Sequence, residues 1–116
     1  MSFGEYLRHV REGLRAGDQK FSVRQVAQRV GIEPAYLSKI ERGEQSPPSE
    51  TTIRKIAAEL GEDPDMLLAM AGKVSADLQE IICRRPQLFA NLLREIKDAP
   101  DHAILNLVRE VRDGNW

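Results

Sequence analysis

The stretch SVRQVAQRVGIEPAYLSKIERG, Ser22 to Gly43, spells a short helix, a tight turn and a second short helix. Ser22 can accept from the amide of Gln25 while the Gln25 side chain reaches back, and Phe21 and Val26 stand where a hydrophobic staple would. Val23, Val26, Ala27 and Val30 then recur at helical spacing as a buried stripe. Gly31 follows, where a chain leaving a helix needs a left-handed residue. Pro34 stands just inside the next helix, its dihedral already suited to a first turn and its missing amide no loss. That helix is predicted from about Pro34 to Arg42, and Gly43 stops it.

Toward the N-terminus, Ser2 and Glu5 have capping-box spacing, and Phe3, Leu7, Val10 and Leu14 share one face of a first helix with Tyr6 beside them. A polar loop, Arg15 to Lys20, leads from it into the motif. On the other side, Ser46-Pro47-Pro48-Ser49 makes a rigid connection. Ser49 caps a helix with Ile53, Ile56, Ala57 and Leu60 inward and Gly61 at its end, and a shorter helix spans Pro64 to Ala71 before Gly72.

Beyond Gly72, Ser75 can cap a helix bearing Leu78, Ile81 and Ile82. Pro86 begins another, with Leu88, Phe89, Leu92, Leu93 and Ile96 on a broad stripe, and Pro100 a third, with Ile104, Leu105, Leu107, Val108 and Val111. No segment alternates with the period of two that a half-buried strand requires. The chain is therefore predicted to be all-α, with five helices in residues 1–72 and about three in residues 73–116. The last three stripes are wide for the little chain available to cover them. They are expected either to fold back on the first and fifth helices or to meet a second copy, with Leu92, Leu93, Ile96, Ile104, Leu105 and Val108 carrying a dimer contact.

At 116 residues and 41% hydrophobic content, the chain can hold one domain, or a small domain with an accessory segment, around one modest core. A two-lobed enzyme is excluded. Charged residues make up 30% with a net charge of −1, which fits a folded chain. The total conceals an asymmetry. Between Arg8 and Gly43, the bases Arg8, Arg11, Arg15, Lys20, Arg24, Arg29, Lys39 and Arg42 outnumber Glu12, Asp18, Glu33 and Glu41, whereas acids dominate from Glu44 to Asp65.

Cys83 stands alone, which fits a reducing compartment and a half-buried, inert thiol. No apolar run approaches the roughly 18 to 20 residues that span a bilayer, and the N-terminus lacks a hydrophobic signal core, so a cytoplasmic protein without membrane contact is expected. GxxxxGKS/T, HExxH, CxxC and GxSxG motifs are all missing, and His9 and His102 have no ligand cluster at metal-binding spacing. Neither catalysis, nor a metal, nor a cofactor is expected. Trp116 reads as a packing anchor or a frayed end.

Residues from about Phe3 to Gly72 resemble the Cro/C1-type helix-turn-helix family, also called the XRE family. The match rests on Ser22, on Ala27 at the close helix contact, on Gly31-Ile32 at the turn, and on Tyr36-Leu37-Ser38-Lys39-Ile40-Glu41-Arg42-Gly43. Pro47 and Ser49 then precede a helix ending Leu60-Gly61. The resemblance implies a compact five-helix, lambda-repressor-like domain, a homodimer on pseudo-palindromic double-stranded DNA, and regulation of transcription, often of the regulator's own promoter; a repressor is expected.

The residues of the second motif helix agree. At about 100° per residue, Leu37 and Ile40 define an inward face while Ala35, Ser38, Lys39 and Arg42 cluster on the opposite one. Small residues on that side let a helix sink into the major groove, where Lys39 can donate to guanine edges or phosphates. Arg42, near the helix end, suits a phosphate better. Tyr36 is either a core aromatic or a phosphate contact. Ser22 and Arg24 would lie beside a phosphate at the start of the first motif helix. Glu33 could accept from cytosine N4 or serve only as a helix cap and dipole partner.

Two positions depart from the family pattern: Val23 and Pro34 stand where many members carry a glutamine pair that grips adenine. Specificity is then expected to lean on Ala35 methyl contacts, Ser38, Lys39 and DNA shape. The loop before Phe21 is also longer than usual, and Lys20 on it either reaches the DNA backbone or is solvated. An alternative reading is an antitoxin or adaptor whose C-terminal helices bind a protein partner.

Overall fold

A computed structural model describes residues 1–114. Among them the chain is entirely helical, running α1 (Phe3–Arg15), a 3-10 turn (Gln19–Phe21), α2 (Val23–Val30), α3 (Pro34–Glu41), α4 (Glu50–Leu60), α5 (Pro64–Met70), α6 (Ala76–Arg84), α7 (Pro86–Ile96) and α8 (Asp101–Asp113). Trp116, read above as an anchor or a frayed end, lies outside the described residues.

Local chemistry accounts for most of these ends. Ser2 accepts from the Glu5 amide while the Glu5 carboxylate accepts from the Ser2 amide, completing the capping box of α1. At α2 only half of the expected box forms: Ser22 Oγ accepts from the Gln25 amide at 3.2 Å. Gly31 closes α2 at φ 89°, a left-handed backbone in which its own amide and that of Ile32 both donate to the Ala27 carbonyl. Pro34 occupies the first turn of α3 as predicted. The expected polar loop after α1 is more ordered than its composition suggests, because the Asp18 carboxylate accepts from the Lys20 amide and winds the 3-10 turn.

The chain divides into two compact units, one of residues Met1–Ser75 and one beginning at Ala76. In the first, α1 packs on α3 and α4, α2 on α3 and α4, and α5 on α4. Phe3, Leu7, Val26, Ala27, Val30, Leu37, Ile40, Ile53, Ile56, Ala57, Leu60, Leu67 and Leu68 form one buried cluster. Tyr6, Val10, Val23 and Tyr36 pack partly against it. Leu14, expected on the buried face of α1, is exposed: one turn earlier the stripe is taken over by Arg11.

In the second unit α6 packs on α7, and no residue of α6, α7 or α8 is buried among the described residues. Cys83, expected half-buried, is exposed. No described helix is long and apolar enough to cross a membrane, and the described residues hold no cluster of metal-ligating side chains.

Candidate nucleic-acid interface

The second motif helix, α3, has two chemically different sides. Leu37, Ile40 and Glu41 are buried, whereas Pro34, Ala35, Lys39 and, just past the helix end, Arg42 are exposed and Ser38 is half-buried. Residues 35, 38, 39 and 42 follow the i, i+3, i+4, i+7 spacing of one helix face, so the small and basic side chains form a continuous outward strip. Arg42 itself is the C-cap, its amide donating to the Ser38 carbonyl at 3.0 Å.

Glu41 is the residue whose structural role the sequence reading passed over. It is 5% exposed, and Arg11 of α1, counted above in the basic surplus between Arg8 and Gly43, is 2% exposed. Arg11 Nε donates to Glu41 Oε2 at 2.7 Å and Nη2 to Glu41 Oε1 at 2.9 Å, a bidentate fork. The remaining donors of Arg11 reach the Phe21 carbonyl at 3.1 Å and Glu12 Oε1 at 3.0 Å. This bonding to Glu41 holds the guanidinium above its ordinary pKa, against the desolvation that opposes it. One side chain thereby ties α1, the 3-10 turn and the end of α3 together. The signal was in the sequence: Arg11 stands four residues after Leu7 and Glu41 four after Leu37, each on the buried stripe of its helix.

Gly4 completes that clamp from the other end of α1. A Cβ there would meet the Ile40 carbonyl oxygen and come within 2.8 Å of the Glu41 carbonyl oxygen, so α1 crosses α3 backbone to backbone. The orientation of the outward strip on α3 is set by this crossing and by the Arg11–Glu41 fork.

Beside the strip lies a cleft of about 210 Å³ between α1, the start of α2 and α3, with Arg8, Val23, Ser38 and Arg42 among its walls. Arg8 is exposed. A second hollow, of about 270 Å³, opens at the motif turn and is lined by Arg24, Gln28, Ile32, Glu33 and Pro34. Glu33 is the N-cap residue of α3 by backbone geometry, but its side chain makes no cap hydrogen bond and is exposed. Ser22, by contrast, is half-buried and engaged with Gln25, and Arg24, two residues along, is exposed. Tyr36 packs partly against the core. Thus Arg24, Glu33 and Pro34 gather at the motif turn and Ala35, Ser38, Lys39 and Arg42 along the outward strip, while Ser22 and Tyr36 are partly committed to the fold.

Arg42 does not stand free. Its Nε donates to Glu44 Oε1 at 3.1 Å and its Nη2 to Glu44 Oε2 at 3.0 Å, which raises the guanidinium pKa and holds the Glu44 carboxyl below its ordinary range.

The residues expected to carry a dimer lie in the second unit. Leu92, Leu93, Leu105 and Val108 are exposed, Leu93 at 56%, and Ile96 and Ile104 are half-buried.

Comparison with known proteins matches residues 2–70 to a helix-turn-helix domain. The chain is 39% identical over 79 residues to RghRB of Bacillus subtilis (strain 168), described as an uncharacterized HTH-type transcriptional regulator, covering 68% of this chain and 53% of that protein. It is 37% identical over 73 residues to the HTH-type transcriptional repressor RghR of the same organism, covering 63% of this chain and 50% of that protein. The chain spans about half the length of the curated relatives it matches. No solved structure matches. With α2, the Gly31 turn and α3 inside the matched span, the chain belongs to the helix-turn-helix domain family.

Proposed function

We propose that the chain is a sequence-specific DNA-binding transcriptional regulator, acting as a homodimeric repressor that inserts α3 into the major groove of an inverted-repeat operator. The observation that carries this reading is the outward strip of α3, small at Ala35 and Ser38 and basic at Lys39 and Arg42, on a helix whose opposite side is locked to α1 by the Arg11–Glu41 fork. Small side chains allow close approach to base edges, Lys39 supplies a donor for guanine or phosphate, and Arg24 and Arg42 flank the helix where backbone phosphates would lie. Repression is supported by the name of one relative, the repressor RghR.

Duplexes selected by the wild-type chain from a random pool provide the test. Lys39→Ala should weaken binding to the selected duplex by about 1–3 kcal/mol if it reads a base. If it meets a phosphate, it should instead lower the salt slope by about one. Unchanged affinity and slope, with the fold intact by circular dichroism, would remove α3 as the reading element.

The exposed apolar residues of α7 and α8 favour a second copy as the contact of the C-terminal unit, with half-sites about one helical turn apart. The same surface supports the antitoxin or adaptor reading, in which another protein covers it.

A further inference from the structure

Arg42 caps the end of α3, yet a carboxylate two residues further along already occupies it. The fork between Arg42 and Glu44 uses two parallel hydrogen bonds, of 3.1 and 3.0 Å, the same planar arrangement in which a guanidinium grips a phosphate. Both side chains are about half exposed, so neither is held there by burial. The cleft that Arg42 borders contains a second exposed arginine, Arg8, which makes no ion pair among the described residues, whereas the charge of Arg11 in the same cleft is already met by Glu41. Glu12 also lines the cleft and is bonded to Arg11, so a backbone phosphate approaching there meets one open cation, Arg8, and one cation that must first let go of Glu44.

We propose that Glu44 is an internal substitute for a DNA phosphate: it holds Arg42 in the free protein and gives it up to the backbone when α3 docks, which lowers affinity for every duplex and leaves discrimination to the bases. This rests on the DNA-binding reading above. Because phosphate contacts carry no sequence information, the exchange weakens non-specific binding as well as specific binding, and it keeps the end of α3 ordered until DNA arrives.

A double-mutant cycle tests it, with fluorescence anisotropy on a duplex selected by the wild-type chain from a random pool. Glu44→Gln should tighten binding about two- to five-fold, the range spanned by an exposed ion pair. Arg42→Gln should weaken binding, and adding Glu44→Gln to Arg42→Gln should then change affinity by less than the error of the assay. Equal tightening in both backgrounds would overturn the proposal, because Glu44 would then act only as a negative charge repelling the duplex. No tightening in the wild-type background would overturn it as well. Failure of the parent reading is distinguishable, since the wild-type chain would then select no duplex at all.

Discussion

Gly4 and Gly13 lie on the same helix and predict opposite outcomes for the same substitution. At Gly4 the added methyl would strike the backbone carbonyls of Ile40 and Glu41, which cannot swing aside, so Gly4→Ala should destabilise the protein by about 1–3 kcal/mol despite the better helix propensity of alanine. At Gly13 nothing lies within 4 Å, and Gly13→Ala should stabilise by about 0.5–1 kcal/mol. Urea denaturation of the two variants reads both signs, and stabilisation at Gly4 would mean that α1 does not cross α3 as described. The buried fork is as sharp a test. Glu41→Gln leaves the buried Arg11 with only the half-exposed Glu12 to meet its charge and should cost about 2–4 kcal/mol, whereas Arg11→Met combined with Glu41→Leu should recover most of it. Tyr6 gives a pH signature. It donates to Glu62 Oε2 at 3.0 Å, and that bond, followed by desolvation and the carboxylate charge, raises the phenol pKa. A folded pKa above the unfolded one gives stability that is fully present below about pH 10 and is lost as pH rises through the folded value. Thermal melts above that pH should therefore fall more steeply for the wild type than for Tyr6→Phe.

At the scale of the element, α3 is a helix of only eight residues, too short to hold its shape without tertiary support. Pro34 fixes its first turn and Gly31 fixes the turn before it, and both were legible because caps and turns are chemistry between close neighbours along the chain. The inward pair Leu37 and Ile40 was legible from periodicity as well. The role of Glu41 was not, because a charged residue reads as surface until its partner is found, and that partner stands 30 positions away. The same holds for Arg42: its place at the end of the outward strip follows from spacing, but its capture by Glu44 depends on how the chain turns after Gly43, at φ 75°. A consequence for α3 is that Glu41→Gln should weaken duplex binding even though Glu41 is buried, by loosening the angle at which the strip is presented. Binding at wild-type affinity under conditions where the variant is fully folded would show that the fork only stabilises.

At the scale of the whole molecule, each of the two units presents its own problem. The first buries its apolar residues within itself from α1 to α5. It also extends past Met70, since Lys73 Nζ donates to the Pro48 carbonyl at 2.7 Å, so a truncation that keeps this tie should end after Ser75. The second carries apolar side chains on α6, α7 and α8 without burying one. If α7 and α8 meet a second copy, light scattering should give a dimer for the full chain and a monomer for residues 1–75, and Leu93→Glu with Val108→Glu should convert the full chain to a monomer. A full-length chain that is monomeric before any substitution would favour a protein partner for these helices.

The helical class, most helix ends and the motif from Ser22 to Gly43 follow from sequence alone, because periodicity, caps and glycine turns depend on residues within a few positions of one another. Which arginine is structural and which is available emerges from the folded contacts: Arg11 inside, Arg8 outside, and Arg42 held by Glu44. Charge type is a property of the residue, but availability is a property of the partners that folding brings from elsewhere in the chain.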